Sequence, residues 1–148
     1  MSTDEKDIGK QKIDFSIKID EKIRKKLTYA TYVLQSVSKI FLYKAQIFSA
    51  FEACKTCFMT DKTSTSKGFI YQVETGEGKS YIIQLIAAVI SLISKSNVFN
   101  MSIKSDKTVH VASSNIILAN RDYSSSYKFF QKLGLKSAVL LHQNEIPK

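Results

Sequence analysis

The sequence predicts an α/β domain in which helices flank a short parallel sheet. Three apolar runs have the composition of buried strands, at residues 68–73, 108–113 and 138–141. Between them lie two segments with the three- and four-residue apolar spacing of helices, at residues 81–93 and 115–133. Because strands that alternate with helices pair in parallel through right-handed crossovers, this order predicts a parallel sheet.

The turn between the first predicted strand and helix 81–93 contains two glycines and then Lys79 and Ser80. Gly76 and Gly78 lack a Cβ, so consecutive backbone N–H groups can turn towards an anion. Lys79 would reach the β- and γ-phosphates, and the Ser80 hydroxyl would ligate Mg²⁺. The N-terminus of the following helix adds positive potential. This phosphate-loop pattern predicts a nucleoside triphosphate as the ligand.

One position departs from the general phosphate-loop pattern GxxxxGK[ST]. Val73 stands where that pattern has its first glycine. An ordinary glycine-rich turn between a strand and a helix is therefore the alternative interpretation of these residues.

Length and composition indicate a single folded domain that binds anions. The chain has 148 residues, of which 44% are hydrophobic, and its net charge is +9. Such a length can bury a substantial core. The positive field favours nucleotides, nucleic acid or acidic lipid, but it does not choose among them.

The pattern along the chain divides it into three parts. Residues 1–18 are polar and charged, which is typical of a mobile tail. Residues 19–58 have helical spacing, and their length favours two helices with a break near Ser38 or Tyr43. Residues 68–148 carry the predicted nucleotide-binding part. No signal peptide is visible at the start, and the longest apolar stretch is too short to span a bilayer.

Two further features have conventional structural interpretations. Cys54 and Cys57 form a C-x-x-C pattern without a second pair of ligands, so reduced core thiols fit them better than zinc or a thioredoxin-like pair. His110 lies within a predicted strand, where a core imidazole is the simpler interpretation.

Two segments resemble the SecA preprotein translocase ATPase family. Residues 75–80 read T-G-E-G-K-S and follow Gln72, Val73 and Glu74, which is similar to motif I of that family. Residues 109–122 are similar to its segment V-H-V-V-T-V-N-D-Y-L-A-x-R-D, with Asn115, Leu118, Ala119, Arg121 and Asp122 in register. The resemblance covers residues 42–148, the opening part of the first nucleotide-binding domain.

The resemblance implies a partial P-loop NTPase domain of the RecA-like class that uses ATP and Mg²⁺. The family drives protein translocation, so a preprotein and a membrane channel are the implied partners, with a cytoplasmic location that is peripheral to the membrane. The implied nucleotide-binding residues are Thr75, Gly76, Glu77, Gly78, Lys79 and Ser80, with Ser80 also the metal ligand.

A glutamine before motif I recognises adenine in this family, and Gln46 is the residue in position to do so. A helix-surface glutamine is the alternative interpretation, because Phe41 and Tyr43 stand where the family has an arginine. Asn115 is expected to cap its helix, and Arg121 and Asp122 are expected to pair on the surface.

Catalysis in this class needs more than a phosphate loop. In this class a downstream acidic D-E-x-D motif holds Mg²⁺ and water, and a second RecA-like domain supplies arginines. Neither this motif nor a second RecA-like domain follows residues 75–80 in this sequence. We therefore expect nucleotide binding without hydrolysis by this chain alone. A superfamily 2 nucleic-acid helicase fragment and a non-catalytic nucleotide-binding or interaction module are the alternatives; against the helicase, residues 115–122 lack P-T-R-E-L.

Overall fold

The computed structural model describes residues 3–59, 70–74, 76–96 and 108–140. These residues contain four helices. They are α1 (Thr3–Ser38), α2 (Lys44–Met59), α3 (Lys79–Ser96) and α4 (Ile116–Lys132). Helices α1, α2 and α3 pack against one another, and α4 packs against α1 and α3.

The predicted break in the N-terminal helical segment is confirmed. Helix α1 ends at Ser38, α2 begins at Lys44, and Lys39 adopts a left-handed backbone conformation with φ +60° between them. The backbone is already helical from Thr3, well before residue 19, where the sequence analysis placed the start of this segment.

The predicted α/β fold with a parallel sheet is wrong. Residues 70–74, 108–113 and 135–140 belong to no helix and no strand, and no backbone hydrogen bond joins these segments. Each of them has an apolar side chain that faces solvent rather than a neighbouring strand. Ile70 is 98% exposed, Val111 59% and Leu140 82%. The described residues therefore form a helical structure rather than a RecA-like sheet.

Helices α1 and α2 bury the apolar surface of α3, which was predicted to lie against a sheet. The predicted helix at residues 81–93 is confirmed within α3, and its apolar surface lies against α1 and α2. Leu85, Val89 and Ile93 are fully buried there. On the α1 side, Ile23, Leu27 and other apolar residues recur at helical spacing and are buried. Helices α1 and α2 therefore bury the apolar surface of α3 that a sheet was predicted to cover.

Helix α4 begins and ends as the sequence predicts. The Asn115 side chain accepts a hydrogen bond from the Leu118 N–H at 2.9 Å, which caps the first turn. At the other end the Gly134 N–H donates to Gln131 O and the Leu135 N–H donates to Phe130 O. This Schellman pattern needs a left-handed residue, and Gly134 has φ +67°.

Candidate nucleotide-binding site

The predicted phosphate loop lies immediately before helix α3. Gly76 has φ +93° and Gly78 has φ +74°, conformations that residues with a Cβ rarely adopt. The Glu77 N–H donates to Glu74 O at 3.3 Å, which closes a turn before the helix. Both glycines therefore occupy positions where the backbone requires their conformational freedom. Thr75 lies outside the described residues.

The N-terminal turn of α3 presents donors beside this turn. The Gly78 carbonyl accepts hydrogen bonds from the N–H groups of Tyr81 and Ile82, so α3 starts at Lys79. The N–H groups of the first helical residues have no intrahelical acceptor and carry the positive end of the helix dipole. Lys79 is exposed and Ser80 is half-buried. Neither side chain bonds to another residue in the described part of the chain. These residues fit an anionic ligand with a bound cation.

Gln46 connects helix α2 to the phosphate loop. Its side chain is only 7% exposed, which excludes the alternative of a helix-surface glutamine. The amide Nε2 donates to the Glu77 carbonyl at 2.8 Å, and Oε1 accepts from the Tyr43 N–H at 2.9 Å. Tyr43 is the N-cap of α2 and Gln46 is its third helical residue, so the second bond is half of a capping box.

Gly78 also gives the Gln46 amide its space. A Cβ built on Gly78 would lie 2.6 Å from Gln46 Nε2, whereas a Cβ on Gly76 would meet no atom within 4 Å. The second glycine of the loop is therefore required twice, for its backbone conformation and for the close approach of a buried side chain.

A second hydrogen bond holds the entry to the loop against the same helix. The Tyr71 hydroxyl bonds to Thr56 Oγ1 at 2.8 Å, and the Val73 side chain packs against the core. Thr56 and Gln46 are ten residues apart on α2, which corresponds to about 15 Å along the helix axis. Helix α2 therefore supports the segment that leads into α3 at two separated points.

The hydrogen bonds of Gln46 leave part of its amide available. A primary amide offers two N–H donors and two lone pairs on its oxygen. The described contacts use one donor and one lone pair. The remaining donor and lone pair are the two groups that a two-point hydrogen bond to adenine needs, so contact with the loop and recognition of a base are compatible by count.

A comparison with protein families identifies the family to which this chain belongs. The model of the SecA DEAD-like domain matches residues 3–147. The chain belongs to the SecA DEAD-like family. The curated proteins and the solved structures gave no match. SecA DEAD-like membership supports an ATP-binding motor domain, and the family in general uses ATP with Mg²⁺.

The second SecA-like segment has a structural role in the described contacts. Asn115 caps α4, as expected, and Arg121 pairs with Asp122 at 2.8 Å on the surface, also as expected. His110 is exposed and lies outside any strand, so the prediction of a core imidazole is wrong. No described contact links these four residues to the phosphate loop.

The acidic D-E-x-D pattern that SecA-like motors have after the phosphate loop occurs before the loop in this sequence. The letters D-E-x-D occur at residues 4–7, at the start of α1 and before the loop, and the side chains there lie outside the described part. Within the described ranges no three His, Cys, Asp or Glu side chains are grouped to hold a metal ion. In the same residues, no helix combines the length and hydropathy needed to cross a bilayer.

The two cysteines of α2 differ in environment. Both are unbonded; Cys54 is fully buried and Cys57 is exposed. Burial raises the pKa of Cys54 to about 12, with a smaller contribution from Cys57, and partial burial raises the pKa of Cys57. A raised pKa lowers the thiolate fraction at neutral pH, and the thiolate is the reactive form. The prediction of core thiols therefore holds for Cys54 and not for Cys57.

Alkylation should separate these two thiols. At pH 8 iodoacetamide should label Cys57 slowly and leave Cys54 unmodified in the folded chain, because Cys54 is inaccessible and protonated. Mass spectrometry of tryptic peptides would locate the label, and both thiols should react in urea. The Cys57→Ser variant should remain unlabelled when folded; rapid native labelling of Cys54 would contradict its burial.

Proposed function

We propose that this SecA DEAD-like chain binds Mg-ATP at residues 76–80, with Thr75 as a further loop residue. The observation that carries the proposal is the pair of positive-φ glycines, Gly76 and Gly78, directly before the N-terminus of α3. Backbone N–H groups in such a turn, together with the helix dipole, are suited to phosphate oxygens. This arrangement supports a nucleotide site even though the described residues before it form no parallel sheet.

Three side chains of the site have distinct proposed roles. Lys79 neutralises the β- and γ-phosphates, for which its exposed side chain is available. Ser80 Oγ would be a ligand of Mg²⁺, and phosphate oxygens and water would supply the other ligands. Gln46 holds the loop through Glu77 and recognises adenine with its remaining donor and lone pair.

The biological role follows from the family. SecA couples ATP to protein translocation, so we infer that this chain is part of a motor that acts on a preprotein at a membrane channel. On this proposal it acts on the cytoplasmic side, peripheral to the membrane. Isothermal titration calorimetry with Mg-ATP tests the nucleotide step directly. Saturable binding is expected. A titration without any heat of binding would reject the proposal.

Nucleic-acid binding is the second candidate, favoured by the net charge of +9. A protein that neutralises phosphates with lysine and arginine binds less tightly as salt rises. Titration of single-stranded DNA and RNA at two salt concentrations, with and without ATP, distinguishes the candidates. Salt-sensitive binding that ATP competes would favour the helicase alternative over translocation.

The chain alone should not hydrolyse ATP. Phosphoryl transfer depends on acidic residues that place Mg²⁺ and water and on arginines that stabilise developing charge, the latter worth about 10³ to 10⁵ in rate. No D-E-x-D motif follows Ser80 in this sequence. Phosphate release by the purified chain should equal the buffer background. Activity that disappears in Lys79→Ala would contradict this expectation, whereas activity that persists would indicate a contaminating ATPase.

A further inference from the structure

A buried glutamine follows the phosphate loop by one helical turn. Gln84 lies in α3, four residues after Ser80, and is only 7% exposed. Its Oε1 atom is enclosed and has no hydrogen-bond partner among the described residues. The buried residues near it in α3, Leu85 and Ala88, are apolar. The amide oxygen has therefore lost its hydrogen bonds to water without gaining another in their place.

The unpaired oxygen of Gln84 lowers the stability of the folded chain. A buried acceptor without a donor costs free energy, whereas an apolar group of similar size at the same position has no such cost. Buried polar atoms in proteins are nearly always paired, and an exception often has a role towards a ligand or an ion. The place of Gln84 relative to the phosphate loop indicates what that role is.

Helical geometry directs the Gln84 side chain towards the turn that contains Ser80. Residues four apart lie on one face of a helix, with Cβ atoms about 5–6 Å from each other. The Cα–Cβ bond tilts towards the N-terminus, so long side chains extend over the preceding turn. Ser80 is half-buried, and its hydroxyl makes no hydrogen bond in the described part of the chain. The Gln84 amide is therefore within reach of a hydroxyl that has a hydrogen to donate.

A serine that binds a cation needs an acceptor for its hydrogen. A hydroxyl group has two lone pairs and one hydrogen, so a lone pair turned towards Mg²⁺ leaves the hydrogen pointing elsewhere. Outer hydrogen-bond partners commonly fix the orientation of metal ligands in this way. Helix α3 contains no Asp or Glu, and Gln84 has the one side-chain carbonyl in it. Within this helix, Gln84 is therefore the residue suited to orient the Ser80 hydroxyl.

We propose that Gln84 Oε1 accepts the hydroxyl hydrogen of Ser80 when Mg-ATP binds, which turns a lone pair of Ser80 Oγ towards the metal. Gln84 is a positioning residue, because it acts through Ser80 and does not touch the nucleotide. Its enclosed oxygen gains a donor in the bound state, so part of the cost of burying it is recovered on binding. This inference rests on the proposed nucleotide site and adds the residue that orients its metal ligand.

Gln84→Leu should have opposite effects on the stability of the chain and on its use of Mg²⁺. Without ligand, the midpoint of urea unfolding should rise by about 1 M, because leucine removes the unpaired oxygen. We define the magnesium ratio as the affinity for ATP in Mg²⁺ divided by the affinity in EDTA, both from calorimetry. This ratio should fall about fivefold, the factor that corresponds to one hydrogen bond. A lower urea midpoint would mean that the oxygen is already paired and would overturn the proposal.

Ser137→Ala is the matched control for the loss of an unpaired oxygen. Ser137 Oγ is also enclosed without a partner among the described residues. It lies three positions after Gly134, whose carbonyl accepts a hydrogen bond from Lys95 in the last turn of α3. The substitution is therefore near the end of α3 opposite the loop and should leave the magnesium ratio unchanged. An equal fall of the ratio in both variants would overturn the assignment to Gln84.

Ser80→Ala tests whether Gln84 acts through Ser80. This substitution alone should lower the magnesium ratio, because it removes the metal ligand. In the Ser80→Ala background, Gln84→Leu should have no further effect on the ratio. Additive effects, or an unchanged ratio in Gln84→Leu, would overturn this inference and leave the nucleotide site standing. A wild-type chain that binds no ATP would overturn the inference together with the nucleotide site.

Discussion

Replacement of Lys79 by alanine should strongly weaken the binding of Mg-ATP. The ammonium group is the one side-chain cation within the loop, and it lies exposed at the first residue of α3. A hydrogen bond to a charged group contributes about 1.5–3 kcal/mol. Loss of such a contact, together with the attraction of one positive charge to a polyanion, should lower the affinity by on the order of a hundredfold.

The control for this substitution is Lys128→Ala. Lys128 is exposed on α4, so its replacement changes the net charge by the same amount without touching the loop. Calorimetric titrations of the two variants and the wild type should give one weak binder and two similar ones. Equal affinity in Lys79→Ala would remove the nucleotide proposal, whereas an equal decrease in Lys128→Ala would show that only the overall charge matters. Urea unfolding should show both variants within about 0.5 kcal/mol of the wild type, as is usual for surface substitutions.

The helices were predictable because their signals are local. The apolar spacing of residues 81–93 falls within α3, and the capping residue Asn115 and the stop residue Gly134 bound α4 as their chemistry requires. The break between α1 and α2 was predicted from length alone, because neither Pro nor Gly interrupts residues 19–58. For α3 and α4 the determining interactions lie within a few residues along the chain.

The sheet was mispredicted because its signal is ambiguous. A short apolar run such as residues 108–113 is compatible with a buried strand, but only its neighbours in space decide whether it is buried. The N-terminal helical segment was predicted to be separate from the nucleotide-binding part. Helices α1 and α2 instead cover α3 directly, and Ile70, Val111 and Leu140 remain exposed.

The contacts of Gln46 were also not predicted from the sequence. The family resemblance singled out this residue, but its partner Glu77 lies 31 positions away, and no spacing rule predicts that contact. The capping interaction with Tyr43 was also missed, because the usual sequence signature of a capping box begins with Ser or Thr. A signal was nevertheless present, since a glutamine three residues into a predicted helix can reach back to its N-cap.

The contact between Gln46 and Gly78 makes the second strong prediction, which concerns the stability of the loop. Gly78→Ala should destabilise the chain by about 3 kcal/mol. A left-handed conformation costs a residue with a Cβ about 1–2 kcal/mol. The new Cβ would also lie 2.6 Å from Gln46 Nε2 and must displace that amide, which loses two hydrogen bonds of about 1 kcal/mol each.

A double-mutant cycle separates these contributions. Gln46→Ala alone should cost about 2 kcal/mol, because it removes both hydrogen bonds of the amide. In the Gly78→Ala background the same change should cost much less, since the amide has already been displaced. Urea unfolding of the four proteins would give the coupling, and additive effects would show that the side chain does not respond to position 78.

Gly134 provides the matched control for backbone strain. Its φ of +67° is close to that of Gly78, but a Cβ there would meet no atom within 4 Å. Gly134→Ala should therefore cost only about 1–2 kcal/mol, the strain of the left-handed conformation, and its effect should add to that of Gln46→Ala. Affinity for Mg-ATP should fall in Gly78→Ala and stay near wild type in Gly134→Ala. If both glycine variants bound nucleotide equally well, the geometry of Gly78 would not be what prepares the loop for phosphate.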